Sequence, residues 1–206
     1  MTSFFNEAQA KIEELVEYDH SKTQVHWGGQ FENQKRAYER LAMILPVTLS
    51  VMFLLLFFAF GKFRQAGLLI GMLPLAILGG MLALVVRGMT FNVSSAVGFI
   101  ALCGLSIQNG VIMISHINVL RERGTELKKA VIEGASHRLR PIMMTATVAI
   151  LGLLPASLAT GIGSDVQRPL ATVIVYGLLC SSIISLYVLP VLYYLMEKNV
   201  RNNASA

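Results

Sequence analysis

The side chains of this sequence with the greatest capacity for chemistry in an apolar environment lie between positions 106 and 116. Ser106, Asn109, Met113 and His116 follow one another at spacings of three, four and three, so a helix places them on one stripe. Gln108, beside Asn109, belongs to a neighbouring stripe. Uncharged hydrogen-bonding groups of this kind can contact a proton pathway or, alternatively, bond one helix to another. Residue types and spacing alone leave both roles open for Gln108 and Asn109.

Two arginines and a threonine mark the start of a later apolar run. Arg138 and Arg140 come just before this run, and Thr145 lies in its first turns. Basic side chains at a membrane boundary reach the headgroups and orient the helix, which explains both arginines without a further role. A chemical role for Arg138 and Thr145 therefore needs a reason beyond their types and spacing.

Other kinds of chemistry find little support in the sequence. It has no nucleophile–base pair and no nucleotide-binding loop of the Walker type, so we expect neither an enzyme nor an ATP-driven machine. Most methionines and both cysteines, Cys103 and Cys180, lie in apolar runs, where they are ordinary packing residues. No pair of His or Cys residues has the spacing of a zinc site. We expect no catalytic residues, no metal site within this chain and no cofactor.

Five apolar runs must position these side chains. Each contains no Asp, Glu, Lys or Arg, and each reaches the roughly 20 residues that a membrane-spanning helix requires. The sequence therefore predicts an all-α membrane protein with five helices, at about 41–60, 65–86, 92–118, 141–160 and 169–195. Among the prolines, Pro141 and Pro169 are expected at helix starts, where a missing N–H matters least.

Small residues recur along the third predicted helix. Gly98, Gly104 and Gly110 are the candidates for helix packing. Residues without a bulky side chain let two backbones approach closely, which favours helix association in membranes. We assign these glycines a packing role rather than a hinge role.

The composition supports a membrane protein and argues against a nucleic-acid-binding one. Of the 206 residues, 14% are charged and 54% are hydrophobic, whereas soluble domains carry about 25% charged residues. The net charge of +5 arises mostly from short segments between the apolar runs, where basic residues orient helices. Because no basic soluble domain is present, we expect membrane lipid as a partner and no nucleic acid.

Basic residues are distributed unevenly between the two sides of the predicted bundle. The loop at 61–64, the loop at 116–140 and the tail at 197–206 carry most of them and fall on one side if the helices alternate. The opposite short loops hold only Arg87 and Arg168. Since the basic side of a membrane protein is cytoplasmic, we expect a cytoplasmic C-terminus and an N-terminal segment outside.

Residues 1–40 are polar and mixed in charge. Helical spacing of apolar residues predicts an amphipathic helix at 5–15, and alternation predicts a strand at 23–27, which together make a short α/β extramembrane segment. Residues 1–30 lack the apolar stretch of a signal peptide that would carry this segment outside. We therefore expect a fragment of a larger protein, with 41–196 as its transmembrane domain.

Several long segments, in order, resemble one transporter family. WGGQFENQKRA at 27–37, VGFIALCGLSIQNGVIMISHINVLRERG at 97–124 and the stretch 134–179 are similar to the C-terminal end of resistance–nodulation–division (RND) efflux transporters. The resemblance implies that 1–40 ends a periplasmic porter domain and that the five helices are helices 8–12. It also implies a multi-pass protein of the bacterial inner membrane with a periplasmic N-terminus. The expected partners are the missing N-terminal half, further copies in a homotrimer, a periplasmic adaptor and an outer-membrane channel.

The resemblance also implies a class and an ion-relay neighbourhood. Multidrug members carry a lysine followed by an asparagine where this sequence has Gln108 and Asn109, and the neutral pair resembles the heavy-metal efflux class. Positions like Arg138 and Thr145 lie near the ion relay of multidrug members. The implied function is proton-driven export of heavy-metal cations, with the acidic relay in the missing half. The alternatives are a non-transporting remnant and the second chain of a split transporter with a drug-like substrate.

Overall fold

The computed structural model describes Lys11, residues 30–161 and residues 163–204. The predicted strand at 23–27 lies outside these residues, as does the predicted amphipathic helix apart from Lys11. Residues 1–37 and residues 38–206 form two compact units. All features described below belong to the second unit or to the helix that leads into it.

The described part of the chain is helical and contains no strand. Five stretches are long and apolar enough to cross a membrane, which confirms the prediction of an all-α bundle with five membrane helices. The second stretch is divided into two helices, so the bundle comprises α1 (Gln30–Phe60), α2 (Phe63–Gly71), α3 (Leu73–Val86), α4 (Val93–Glu122), α5 (Leu127–Leu158) and α6 (Ser164–Ala204).

Local sequence explains where several of these helices begin and end. α3 starts with Leu73 and Pro74, and proline in a first turn lacks only an N–H that would have no helical partner. α4 starts with a capping box, in which the Asn92 side chain accepts from the Ser95 backbone N–H at 2.8 Å and the Ser95 hydroxyl oxygen accepts from the Asn92 N–H at 2.9 Å. Gly124, with φ +85°, turns the chain between α4 and α5.

The predicted starts at Pro141 and Pro169 are wrong for the helices as a whole. α5 begins at Leu127 and continues through Pro141, and α6 begins at Ser164, before Pro169. Residues 127–140 are mostly good helix formers, so the helix continues beyond the apolar run from which its start was predicted. A proline removes one backbone hydrogen bond, and near a membrane boundary water can satisfy the carbonyl that loses it.

α6 is the central helix and packs against α3, α4 and α5. Met113, Ile114 and Ile117 of α4 and Leu189 and Tyr193 of α6 are almost wholly buried in one apolar cluster. α1 is the outermost helix, and many of its large apolar side chains, such as Phe58 with 78% of its area exposed, face outward, whereas Leu56 lies in the core. Because lipid is as apolar as these side chains, close packing and hydrogen bonds, rather than exclusion of water, hold the helices together.

Candidate functional site

A cavity of about 180 Å³ between α4 and α5 is lined by all four residues that we expected near an ion relay. Gln108 and Asn109 reach it from α4, and Arg138 and Thr145 reach it from α5. The rest of the wall is largely apolar and consists of Leu105, Ile112, Pro141, Ile142, Ala146, Ala149 and Leu178. We call this feature the relay cavity.

Each of the two helices presents one face to the relay cavity, and its lining side chains recur at helical spacing. The lining positions of α4 are 105, 108, 109 and 112, and those of α5 recur in the same way from 138 to 149. Residues three or four apart lie on the same face of a helix. Since α5 continues through Pro141, Arg138 stands on the same rigid helix as Thr145, two turns away.

The polar groups of the relay cavity are incompletely paired among the described residues. The Thr145 hydroxyl donates to the backbone carbonyl of Ile142 at 3.0 Å, and its residue is exposed. Gln108 is also exposed, whereas Asn109 is only 9% exposed. The Nε of Arg138 is buried, and no described residue offers it an acceptor. A buried donor without an acceptor is expensive, so this arginine points to a partner that comes from elsewhere.

This set of groups can stabilise an anion but cannot itself shuttle a proton. The amides and the hydroxyl donate or accept hydrogen bonds without changing charge, and the guanidinium supplies a fixed positive charge. A carboxylate placed in the relay cavity would gain charge-assisted hydrogen bonds, which favour its ionised form. The arrangement therefore suits the environment of a titrating acid, with the acid absent from the five apolar runs.

The three glycines of α4 lie in different surroundings. A Cβ atom at Gly98 would lie 3.0 Å from the Leu170 carbonyl oxygen, and one at Gly110 would clash with Leu69. Gly104 is different, because a Cβ there would meet nothing within 4 Å in the described chain. Gly98 therefore lies against a neighbouring backbone and Gly110 against the Leu69 side chain, while Gly104 faces outward.

A second polar cluster, which the sequence did not reveal, joins α2, α4 and α6. The amides of Gln65 and Asn118 bond reciprocally, with Gln65 Nε2 donating to Asn118 Oδ1 at 3.1 Å and Asn118 Nδ2 donating to Gln65 Oε1 at 2.9 Å. The Tyr193 hydroxyl donates to the same Asn118 Oδ1 at 2.7 Å. Both Gln65 and Tyr193 have no exposed area. We call these three residues the amide clamp.

An ion pair lies at the edge of the amide clamp. Arg121 Nη1 and Glu197 Oε2 are 2.7 Å apart, and the two side chains are 34% and 13% exposed. Arg121 also interacts with the Tyr193 phenol. The pair therefore extends the hydrogen-bonded contact between α4 and α6 towards their C-terminal ends.

Sequence reasoning missed the amide clamp because its members look unremarkable one at a time. Gln65 opens an apolar run, Asn118 lies beyond the end of another, and Tyr193 is one of six tyrosines. The available signal was that an amide stands at a similar depth in two successive spans. Their pairing depends on the rotation of both helices, which the sequence pattern does not specify.

His116 lies apart from the relay cavity, at the end of α4 nearer to Arg123. Its ring centroid is 5.9 Å from that of His137, and its buried Nε2 finds no acceptor or donor among the described residues. Glu133 Oε1 is 3.8 Å from His137 Nε2. Across residues 30–161 and 163–204, no three His, Cys, Asp or Glu side chains gather closely enough to hold a metal ion.

Comparison with known proteins shows which family this chain resembles. The sequence profile of the AcrB/AcrD/AcrF family matches residues 1–197. Protein HelA of Legionella pneumophila is 50% identical over 96% of this chain and 19% of its own length. The cobalt-zinc-cadmium resistance protein CzcA of Cupriavidus metallidurans is 46% identical over 95% of this chain and 18% of its own length. The chain thus spans about a fifth of the curated relatives that it matches.

Solved structures show the same likeness in three dimensions. A crystal structure of a heavy metal efflux pump superposes with a TM-score of 0.78 at 55% sequence identity. The match covers 96% of this chain and 19% of that pump. The bundle of α1 to α6 is therefore a piece of the architecture that such pumps use.

Proposed function

Because the chain belongs to the AcrB/AcrD/AcrF family, we propose that it is the C-terminal part of a proton-driven RND permease that exports heavy-metal cations. Relatives named for cobalt, zinc and cadmium resistance and a solved heavy metal efflux pump support the substrate class. The neutral Gln108 beside Asn109, in place of the lysine of multidrug members, supports the same class.

The observation that carries the proposal is the buried Nε of Arg138, a lining residue of the relay cavity, which has no acceptor among the described residues. Arg138 lies beside Gln108, Asn109 and Thr145, and its buried Nε lacks an acceptor in the described chain. A carboxylate from the missing N-terminal half would complete this site. While ionised it would be held by Arg138, and once protonated it would lose that attraction. Alternating attraction and release would shift α4 and α5 against the other half and so couple proton entry to export.

The proposed setting follows the asymmetry of basic residues. The bundle would lie in the bacterial inner membrane, with residues 116–140 and the C-terminus in the cytoplasm and the N-terminal segment in the periplasm. The complete permease would work as a homotrimer with a periplasmic adaptor and an outer-membrane channel. Which cation it exports depends on the periplasmic domain, most of which lies outside this chain.

The test is Arg138→Gln in the complete permease, expressed in a metal-sensitive host that lacks its own pump. We expect cation efflux to fall at least about tenfold, because about 1.4 kcal/mol of differential stabilisation corresponds to a factor of ten. Arg140→Gln is the matched control, since Arg140 is an exposed arginine of the same helix that does not line the relay cavity. Equal efflux in the two variants would refute the role of Arg138.

The same host separates the proposal from its alternatives. This chain expressed alone should give no resistance, because the proton-carrying acid and most of the periplasmic domain are absent from it. Supplying the missing part as a second polypeptide should restore efflux if the chain is a transporter component. A remnant would stay inactive under that condition, and a drug-specific pump would confer drug resistance instead of metal resistance.

A further inference from the structure

Three polar contacts join α4 to α6, and in each the two residues are separated by nearly the same number of positions along the chain. The Ser181 hydroxyl donates to Ser106 Oγ at 2.7 Å, a separation of 75 residues along the chain. The Tyr193 hydroxyl donates to Asn118 Oδ1 at 2.7 Å, again 75 residues apart. Arg121 and Glu197, 76 residues apart, form the third contact. Equal steps along both helices mean that α4 and α6 run parallel in one fixed register.

Glycine contacts hold the other end of the same pair in the same register. A Cβ added at Gly177 would clash with the Leu102 side chain, and one at Gly98 would lie 3.2 Å from the Val173 Cβ. These pairs are also 75 residues apart. Because Gly177 packs directly against the Leu102 side chain and Gly98 against the Leu170 backbone, sliding one helix along the other would produce a clash at these levels.

The amide clamp adds a third helix at one level of this pair. Asn118 Oδ1 accepts from both Tyr193 and Gln65, and Asn118 Nδ2 donates back to Gln65. The Asn118 side chain is therefore held from α2 and from α6 at once. Any rotation of α4 about its own axis would break these bonds within the buried interior.

The clamp holds the side of α4 that faces away from Asn109. Asn118 is nine residues beyond Asn109, or two and a half turns at 3.6 residues per turn, which places the two side chains on opposite faces. A rotation of about 20° moves an atom about 5 Å from the helix axis by nearly 2 Å. Such a shift is enough to change which groups of the relay cavity lie within hydrogen-bond distance of one another.

We propose that Tyr193, Asn118 and Gln65 are positioning residues that fix the rotation of α4 and thereby hold Gln108 and Asn109 towards Arg138 and Thr145. The three do not touch the relay cavity themselves. They act through the helix, as a clamp on its far face. What the positioned cavity does rests on the proposed function, whereas the positioning itself is a property of this chain.

The first experiment measures the rotation of α4 directly in this chain, reconstituted in lipid. Cys103 and Cys180 are replaced by alanine, and nitroxide labels are placed singly at exposed or half-exposed α4 positions: Val97, Ile100, Ala101, Gly104 and Leu105. The accessibility of each label to oxygen and to a water-soluble nickel chelate defines the angular phase of the helix. We expect Tyr193→Phe and Asn118→Gln to shift this phase by about 20° or more.

Two comparisons separate positioning from mere stability. Tyr187→Phe is the matched control, because Tyr187 lies on the same helix with 70% of its area exposed, and it should leave the phase unchanged. The exchange Gln65→Asn with Asn118→Gln keeps an amide pair and should restore the phase that Asn118→Gln alone disturbs. A wild-type phase in Tyr193→Phe and Asn118→Gln, whether or not thermal stability falls, overturns the positioning role.

The second experiment uses the complete permease and measures how strongly a pH gradient drives cation transport. We expect Tyr193→Phe to lower the maximal rate of pH-driven cation transport by about threefold, the factor that one typical interhelical hydrogen bond in a membrane represents. The KM for the cation should stay unchanged, because the clamp lies away from substrate. A changed KM with an unchanged maximal rate would contradict the proposal. Absence of any transport by the wild type would instead refute the proposed function and leave the rotation result valid.

Discussion

The relay cavity and the amide clamp contain similar side chains in opposite states. In the clamp, the fully buried Gln65 and Tyr193 and the half-buried Asn118 satisfy one another over distances of 2.7 to 3.1 Å. In the cavity, Gln108 and Thr145 are exposed, and Arg138 Nε finds no acceptor in the described chain. Both regions contact α4, one on each face. The clamp is complete within this chain, whereas the cavity requires a partner.

This difference separates the polar residues that hold the helices of a membrane bundle together from those that are available to bind another group. Polar groups that pair internally stabilise one arrangement of helices. Polar groups left without partners mark a surface that another element or a titrating group must fill. Residue type alone does not separate the two, because asparagine and glutamine occur in both regions.

The largest expected loss of stability comes from enlarging a glycine in the packed interface between α4 and α6. Gly177→Val should destabilise the chain by about 3 kcal/mol, because its side chain would overlap Leu102 in a packed interface. Gly104→Val, on the open side of α4, is the matched control and should change stability by less than about 0.5 kcal/mol. Unfolding of the purified chain in mixed detergent micelles measures both. Similar losses in the two variants would contradict the contrast between closed and open faces.

A smaller loss of stability is expected when an amide of the amide clamp, rather than an amide of the relay cavity, is replaced by leucine. Asn118→Leu should destabilise the chain by about 1–2 kcal/mol, since it leaves the Gln65 amide buried without its partner. Gln108→Leu replaces an exposed amide and should leave stability unchanged or slightly higher in the same unfolding assay. The comparison would fail if removing Gln108 destabilised the chain as much as removing Asn118.

The smallest effect concerns the ion pair at the edge of the clamp. Glu197→Gln should cost at most about 1 kcal/mol, because Arg121 is about a third exposed and solvent weakens the attraction. Salt should reduce this difference further. Glu133→Gln is the matched control, since Glu133 and His137 are 3.8 Å apart and largely exposed, and we expect no measurable change. A large salt-independent loss in Glu197→Gln would mean that the pair is sealed from water.

The sequence predicted the number of membrane helices because length and apolarity are local properties. Each run had to be helical, since backbone groups in lipid must be bonded within their own segment. It failed at the starts of α5 and α6, because Pro141 and Pro169 looked like first-turn residues. A proline inside a helix is tolerated when water or a neighbouring group bonds to the carbonyl that the missing N–H leaves unpaired. The apolar runs do not show whether such a partner is present.

The four polar residues of the relay cavity can be singled out from the sequence, on two different grounds. The polar residues of the third apolar run direct attention to the region of Gln108 and Asn109, and the family pattern then singles out this pair. Arg138 and Thr145 were added through the resemblance to a family. The amide clamp was missed, because Gln65, Asn118 and Tyr193 are far apart in the chain and unremarkable singly.

The sequence by itself determined that this chain is a bundle of five membrane helices without an acidic residue in its apolar runs. Both properties follow from composition along the chain, since lipid selects long apolar helices whatever their neighbours are. Only the tertiary structure decided which face of α4 is closed by hydrogen bonds and which is left open. That choice depends on the rotation and register of packed helices, and these are fixed by contacts between residues about 75 positions apart.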